Sequence, residues 1–478
     1  MAGMASKVSK VKGRRPLKPR DLPRRSIRFL VVGLLSSCAP HLQAPDTTVK
    51  TTTYLPGQPV TPAPMPAAWW TLFNNPSLNS LETQGLAANP SIGAAQQTLR
   101  AAQDAATAAN GAYLPQILLG GASQPLATRA AYPAGPNSSP AYTIISPTGT
   151  ITYDFGLFGT RHYTYENGAA QAAYQNAELD AARQTVTGNI ATAAITYAGT
   201  QAQIDTTNAM IGAEQHLLTL LQGEFTAGAI PRLTLLQQQS LIQTTEATLP
   251  PLQAALTQAQ DRLAILTGQL PGDFTAPPLT LDALTMPARL PVVLPSTYLA
   301  NRPDLRAARA TVAAQNASLG LAVAKLYPDI SIAATGGLAA ETLGTLFEPS
   351  AGLWSLAGNL LAPLYEGGTL HAQKDEAQAQ LASALYAYKE AVLSAFGQAA
   401  DALAAVQNDQ AALARATEAA QTANDAYQLA SAQYRLGAAD YTTVLTAETT
   451  AAQAALTVTQ ARTNLALDIV RLESTMAP

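Results

Sequence analysis

Apolar positions recur at helical spacing along most of this 478-residue chain, and the longest runs carry no stop signal for dozens of residues. Leu381, Leu385, Tyr388, Val392, Phe396, Ala399, Leu403 and Val406 step by three or four residues, a mean of about 3.57. That value lies between the roughly 3.5 of a left-handed supercoil and the roughly 3.67 of a right-handed one. The spacing therefore predicts helices that run nearly straight beside one another. Two stretches qualify, about 160–225 and 369–436. At 1.5 Å per residue each would extend ~100 Å, far beyond an ordinary globular helix. Both end in aromatic-x-x-Gly, as Phe225 to Gly228 and Tyr434 to Gly437. A second helix returns from each glycine, about 231–268 and 440–475, and Pro250-Pro251 is expected to kink the first of these.

The chain is written twice. Asn89-Pro90 opens a helical stretch that ends at Tyr113-Leu114-Pro115, and Arg302-Pro303-Asp304-Leu305 opens one that ends at Leu326-Tyr327-Pro328. The offset is 213 residues at both ends, with no gap. β-like runs follow at 117–122 and 142–155 in the first half, and at 330–335 and 353–365 in the second. Glycine clusters close each pair, Gly156 and Gly159 in one half and Gly367-Gly368 in the other. The predicted order per half is helix, strand, strand, long helix, turn, helix.

Four strands in one chain make a sheet with open edges, an association liability. The polar and apolar alternation of Ile145 to Thr152 suits a sheet with one wet face. A barrel built from several chains would close every edge and satisfy every backbone hydrogen bond, as a bilayer demands. Twelve strands from three chains is the simplest closure.

Composition supports this picture mainly by exclusion. Charged residues are 12% and aromatics 6%, while hydrophobic residues reach 47%. The balance is too apolar for a disordered chain, and a single cysteine, Cys38, excludes a disulfide scaffold. No run of 18 or more purely apolar residues marks a membrane-spanning helix. Charge is split: ten of the 28 Lys and Arg precede residue 38 against one acid, Asp21. The remaining 18 basic and 30 acidic residues leave the rest of the chain at about −12. A nucleic-acid partner is therefore not expected.

The basic segment meets a short apolar run, Phe29 to Leu35, then Ser36-Ser37-Cys38. This pattern reads as a signal peptide over residues 1–37. Leu35-Ser36-Ser37-Cys38 resembles the lipobox of bacterial lipoproteins, in which the cysteine thiol receives a diacylglyceryl group, the chain is cut before it, and the new amine is acylated. Ala39 follows, without the aspartate that marks inner-membrane retention in enterobacterial lipoproteins. Residues 38–67 read as the lipidated N-terminus and an extended Pro/Thr-rich linker. The mature chain divides into a first repeat at 68–268, a Pro-rich connector at 269–297 and a second repeat at 298–478.

Over about 65–475 the sequence resembles the TolC/OprM-type outer membrane factors, in particular their NodT-like lipoprotein branch. The resemblance is carried by Trp69-Trp70-x-x-Phe73-x-x-Pro76-x-Leu78, Asn89-Pro90, Asn301-Arg302-Pro303-Asp304-Leu305 and Tyr327-Pro328. Tyr434-x-x-Gly437-x-x-x-Tyr441-x-x-Val444-Leu445 completes it. It implies an α+β membrane protein, a homotrimer with a 12-stranded outer-membrane β-barrel continuous with a helical tunnel across the periplasm. It also implies docking of the tip, around Phe225, Gly228, Tyr434 and Gly437, onto a periplasmic adaptor. An inner-membrane pump of the resistance-nodulation-division type would supply the energy.

Relatives in that family often close the tip with an acidic ring just after the second turn. In this register the ring positions fall on Thr442, Thr443 and Thr446, none of them acidic. Asp440 and Glu448 lie nearby, and Leu445 offers apolar closure, so Asp440, Thr442, Thr443, Leu445 and Thr446 are the candidate constriction. No HExxH, CxxC or GxxxxGK[ST] motif occurs, and the four histidines are widely separated. The sequence thus predicts no enzyme, metal or cofactor, but a passive export channel for drugs or other small molecules. A type I protein-secretion channel and a structural coiled-coil lipoprotein are the competing readings, and the doubled strand pairs argue against the last.

Overall fold

A computed structural model describes residue 45 and residues 66–127, 141–286 and 301–476. After a 3-10 turn at Trp69–Phe73 come α1 (Pro76–Ala88), α2 (Pro90–Gly111), β1 (Gln116–Ala127) and β2 (Ala141–Asp154). Then follow α3 (Thr160–Thr226), α4 (Arg232–Glu246) and α5 (Leu249–Leu266). The second half gives α6 (Pro303–Ala324), β3 (Asp329–Leu338), β4 (Gly352–Leu361), α7 (Thr369–Arg435) and α8 (Tyr441–Met476). No helix among the described residues is long and apolar enough to cross a membrane.

Local chemistry sets the helix starts. Asn75 and Asn89 each precede a proline whose missing N–H is lost at no cost in a first helical turn. Their side chains accept from the N–H of Leu78 at 3.0 Å and of Ser91 at 2.9 Å. Helix α1 is an addition to the sequence reading, which places no helix before Asn89; the repeated Asn-Pro at 75–76 is its signal. The return of the first hairpin is also two helices, not one. Residues 247 and 248 separate α4 from α5, because the ring of Pro250 would meet the carbonyl of Glu246 in a continuous helix.

Helices α3 and α7 each run 67 residues, so each is ~100 Å long. Of the α7 stripe, Tyr388, Val392, Ala399 and Val406 are buried, while Leu381, Leu385, Phe396 and Leu403 pack half-buried against the same core. The core is thickest where α1, α3, α5, α6 and α8 meet, around Leu81, Ile190, Leu263, Leu305 and Ile469. Small residues allow close approach: a Cβ on Gly199 would stand 2.5 Å from the Thr463 methyl of α8.

The four strands form one antiparallel sheet in the order β1-β2-β3-β4. Strands β1 and β3 run further than the sequence suggests, and β4 stops at Leu361 rather than 365. Pro363 has no N–H to continue the ladder. Pro147 in β2 pairs with Gly121 of β1 and has no ladder partner in β3, where pairing begins one residue later at Thr148↔Gly337. Gly337 is required there, since a Cβ would lie 2.3 Å from the Pro147 carbonyl oxygen.

Candidate functional site

The register divides the sheet into two unlike faces. Ile117 pairs with Ile151, Ile151 with Ala334, and Ala334 with Leu356. With period two, this face also carries Leu119, Tyr153, Ile332, Trp354 and Leu360. Its opposite is mainly polar, with Gln116, Thr148, Thr150, Thr152, Ser331, Thr335, Ser355 and Asn359 through pairings such as Thr150↔Thr335, and it takes Leu118, Leu353 and Leu361 near strand ends. The Thr150 and Thr335 hydroxyls are 3.2 Å apart. The apolar face is bare: Leu119 is 90% exposed and Trp354 83%. An uncovered apolar face backed by a polar one is the pattern of a barrel wall between lipid and a wet lumen. The strands, 10 to 14 residues long, match the 9–11 residues a tilted strand needs to span hydrocarbon.

Glycines turn each strand pair into its long helix. Gly156 and Gly159 have φ of 54° and 95°, and Gly367 and Gly368 of 63° and 86°. Phe158 shares the left-handed conformation at φ 58° and stacks on Tyr327 with centroids 5.3 Å apart. The Asp154 carboxylate accepts from the Gly156 N–H at 2.8 Å.

At the far end of the helices the two turns are built alike. Gly228 has φ 78° and Gly437 φ 74°. The Gly228 N–H donates to the Phe225 carbonyl at 2.9 Å, and the Ala229 N–H to that of Glu224 at 2.9 Å. The second turn repeats both bonds, Gly437 to Tyr434 at 2.9 Å and Ala438 to Gln433 at 2.8 Å. This is the Schellman arrangement, which places glycine where a side chain would be strained.

The candidate constriction residues follow the second turn. Asp440 caps α8, accepting from the Thr443 N–H at 2.9 Å, the Thr443 hydroxyl at 2.7 Å and the Thr442 hydroxyl at 2.9 Å. The Thr443 bonds first, then Thr442, hold the carboxyl below its usual range. Thr442, Thr443 and Thr446 are exposed, and Leu445 is half-buried. Thr442 and Thr446 share one helix face, linked by the Thr446 hydroxyl donating to the Thr442 carbonyl at 2.8 Å. Phe225 is 40% exposed. The Tyr434 hydroxyl donates to Glu224 at 2.5 Å and so ties α7 to α3. Burial, then that carboxylate, push the phenol up to about 12. A cleft of about 620 Å³ opens behind both turns, lined among others by His216, Leu220, Glu224, Tyr427, Tyr434 and Arg435. Cys38 lies outside the described residues.

Sequence reasoning misses the groups buried behind this tip. Glu214 and Gln238 are buried, and Glu448, in the sequence only a nearby acid, is 5% exposed. The Tyr441 hydroxyl donates to the Gln238 side-chain oxygen. The available signal is an acid occupying a core position: Glu214 follows Thr207 and Ile211 on the buried side of α3.

Very long paired helices, turned by glycine into an amphipathic sheet, have the form of a channel subunit. The sequence profile of the outer membrane efflux protein family matches residues 82–269 and 294–477. The chain belongs to that family, whose members are transport components of the outer membrane. It is 29% identical over 368 residues to nodulation protein T of Rhizobium leguminosarum bv. trifolii, covering 74% of this chain and 76% of that one. It is 27% identical over 332 residues to the pyoverdine export outer membrane protein OpmQ of Pseudomonas aeruginosa, covering 69% of each. The fold matches the outer-membrane channel OprN with TM-score 0.85 at 24% identity, over 92% of this chain and 98% of that one. The protein is accordingly the outer-membrane channel component of an efflux system.

Proposed function

We propose that three copies close their sheets edge to edge into a 12-stranded barrel, and that α3 to α5, α7 and α8 of each copy form a tunnel reaching into the periplasm. The observation that carries this is the sheet itself. It has an uncovered apolar face, a polar face, and edges β1 and β4 that pair with nothing among the described residues. Closure removes both edges and places the apolar face against lipid. The Cys38 thiol carries the lipid anchor. The tip formed by the Gly228 and Gly437 turns docks a periplasmic adaptor, and an inner-membrane resistance-nodulation-division pump drives small molecules through the passive channel. Residues Asp440, Thr442, Thr443, Leu445 and Thr446 line the constriction, where a largely neutral threonine ring replaces carboxylates.

The test uses the full chain in a strain lacking its own efflux channel. Restored pump-dependent drug export, with a heat-sensitive trimer on unboiled gels and ion conductance in planar bilayers, is expected. A monomer with no conductance would overturn the barrel.

A further inference from the structure

Behind the turns the two hairpins meet across a polar cluster. Helix α3 contributes Glu214, α4 contributes Gln238 and Thr245, and α8 contributes Tyr441 and Glu448. Glu214 is 2% exposed, Gln238 0% and Glu448 5%. Hydrogen bonds fix part of the cluster. The Tyr441 hydroxyl donates to Gln238, the Gln238 amide to the Glu214 carbonyl at 3.0 Å, and the Thr245 hydroxyl to Glu214 Oε1 at 2.9 Å. Glu214 Oε2 and both oxygens of Glu448 have no hydrogen-bond partner among the described residues. A buried carboxylate in that condition is costly, whereas the neutral acid is tolerated and carries an O–H.

We propose that Glu214 and Glu448 form a proton-operated latch between the hairpins, closed while Glu448 is protonated and released when it ionises beside Glu214. The latch rests on the reading of the tip as the gate. The cluster itself holds no cation to offset the pair. The titratable groups that act on it are Glu246 of α4, which adds repulsion to Glu214, Tyr427 and Tyr434 of α7, and Tyr441 of α8. His216 and Arg435 line the adjoining cleft and are exposed.

Burial first, then the Glu214 charge, push the Glu448 carboxyl up to about 7. Burial raises Glu214 as well, partly opposed by the Thr245 bond. When the hairpins part and water reaches Glu448, its carboxyl returns to the usual value near 4.5. The closed interface therefore holds an extra proton between those values. Closure is strongest below the lower one and is lost as pH rises through the upper one. The Tyr441 phenol, raised by burial and by Glu448, stays protonated throughout and keeps its bond to Gln238.

The experiment records purified full-length trimers in planar bilayers between pH 5.5 and 8. The open-to-closed ratio is expected to rise on the order of twentyfold for one proton. Glu448→Gln, neutral at that position at every pH, is expected to stay closed longer and to lose that rise; a wild-type profile in that variant overturns the latch. Amide hydrogen exchange on the unmodified trimer, corrected for the intrinsic pH dependence, gives a readout independent of any variant. Protection of residues 238–248 and 441–450 is expected to fall between pH 5.5 and 8, and equal protection overturns the proposal. Loss of protection with constant conductance supports the latch and sinks the gate reading instead.

Discussion

Glu82 shows how far one residue departs from its neighbours. It lies on α1 beside Leu78 and Leu81, fully buried, with no partner among the described residues for either carboxyl oxygen. Burial alone pushes it up to about 9. It is neutral at pH 7, and holding the proton there costs about 3 kcal/mol relative to a solvated carboxyl. Because the folded value is raised, the stability contribution is complete below the unfolded value near 4.5 and lost as pH rises through about 9. Glu82→Gln is expected to raise the thermal midpoint at pH 8 by several degrees and flatten its fall between pH 6 and 9. A variant whose midpoint follows the same slope would show that Glu82 carries no such charge penalty. No pattern of spacing distinguishes this acid from a solvated one, since only the tertiary packing around α1 removes its water.

At the scale of elements, the two hairpins and the two strand-to-helix junctions were legible in the chain, because glycine at fixed offsets from aromatic residues has a local cause. The Gly437 turn has open space around it, with nothing within 4 Å of where a Cβ would stand. A substitution there is opposed only by the backbone at φ 74°, at about 1–2 kcal/mol for a side chain in the left-handed region. Gly437→Val is therefore expected to lower pump-dependent export while trimer yield stays near normal. Drug-susceptibility assays beside unboiled gels check this, and full resistance in the variant would count against a role for the turn. The less legible feature was the length of the strands, whereas Pro250-Pro251 already marked the break between α4 and α5. How far a strand runs depends on which of its backbone groups the neighbouring strand pairs, and no single residue carries that information.

For the whole molecule, two predictions concern assembly and conduction. Cys38→Ser is expected to abolish palmitate labelling and leave trimers intact, since sheet closure and not the acyl chain would drive association. Label on the variant, or complete loss of trimer, would reject that division of labour. Asp440 separates two roles. Asn caps a helix about as well as Asp, so Asp440→Asn preserves the start of α8 while removing one charge per chain. If the residue faces the lumen, cation preference falls, measured as a smaller reversal potential for single trimers in a salt gradient. An unchanged reversal potential would remove Asp440 from the constriction and leave it as a cap alone.

The sequence by itself determined the long helices, the doubled order of elements, the glycine turns and the family, because each is written in local spacing or in residues with a restricted backbone. It also placed the strands to within a few residues. Only the tertiary structure decided which strand faces which, and hence that Ile117, Ile151, Ala334 and Leu356 share one face. A shift of one residue in any pairing would have inverted that strand, and register is a property of two segments at once. Only the tertiary structure, likewise, brought Glu214, Gln238 and Glu448 together from helices more than 200 residues apart in sequence at their extremes. Burial, and with it the protonation of an acid, is set by what packs against it, and no single segment carries that information.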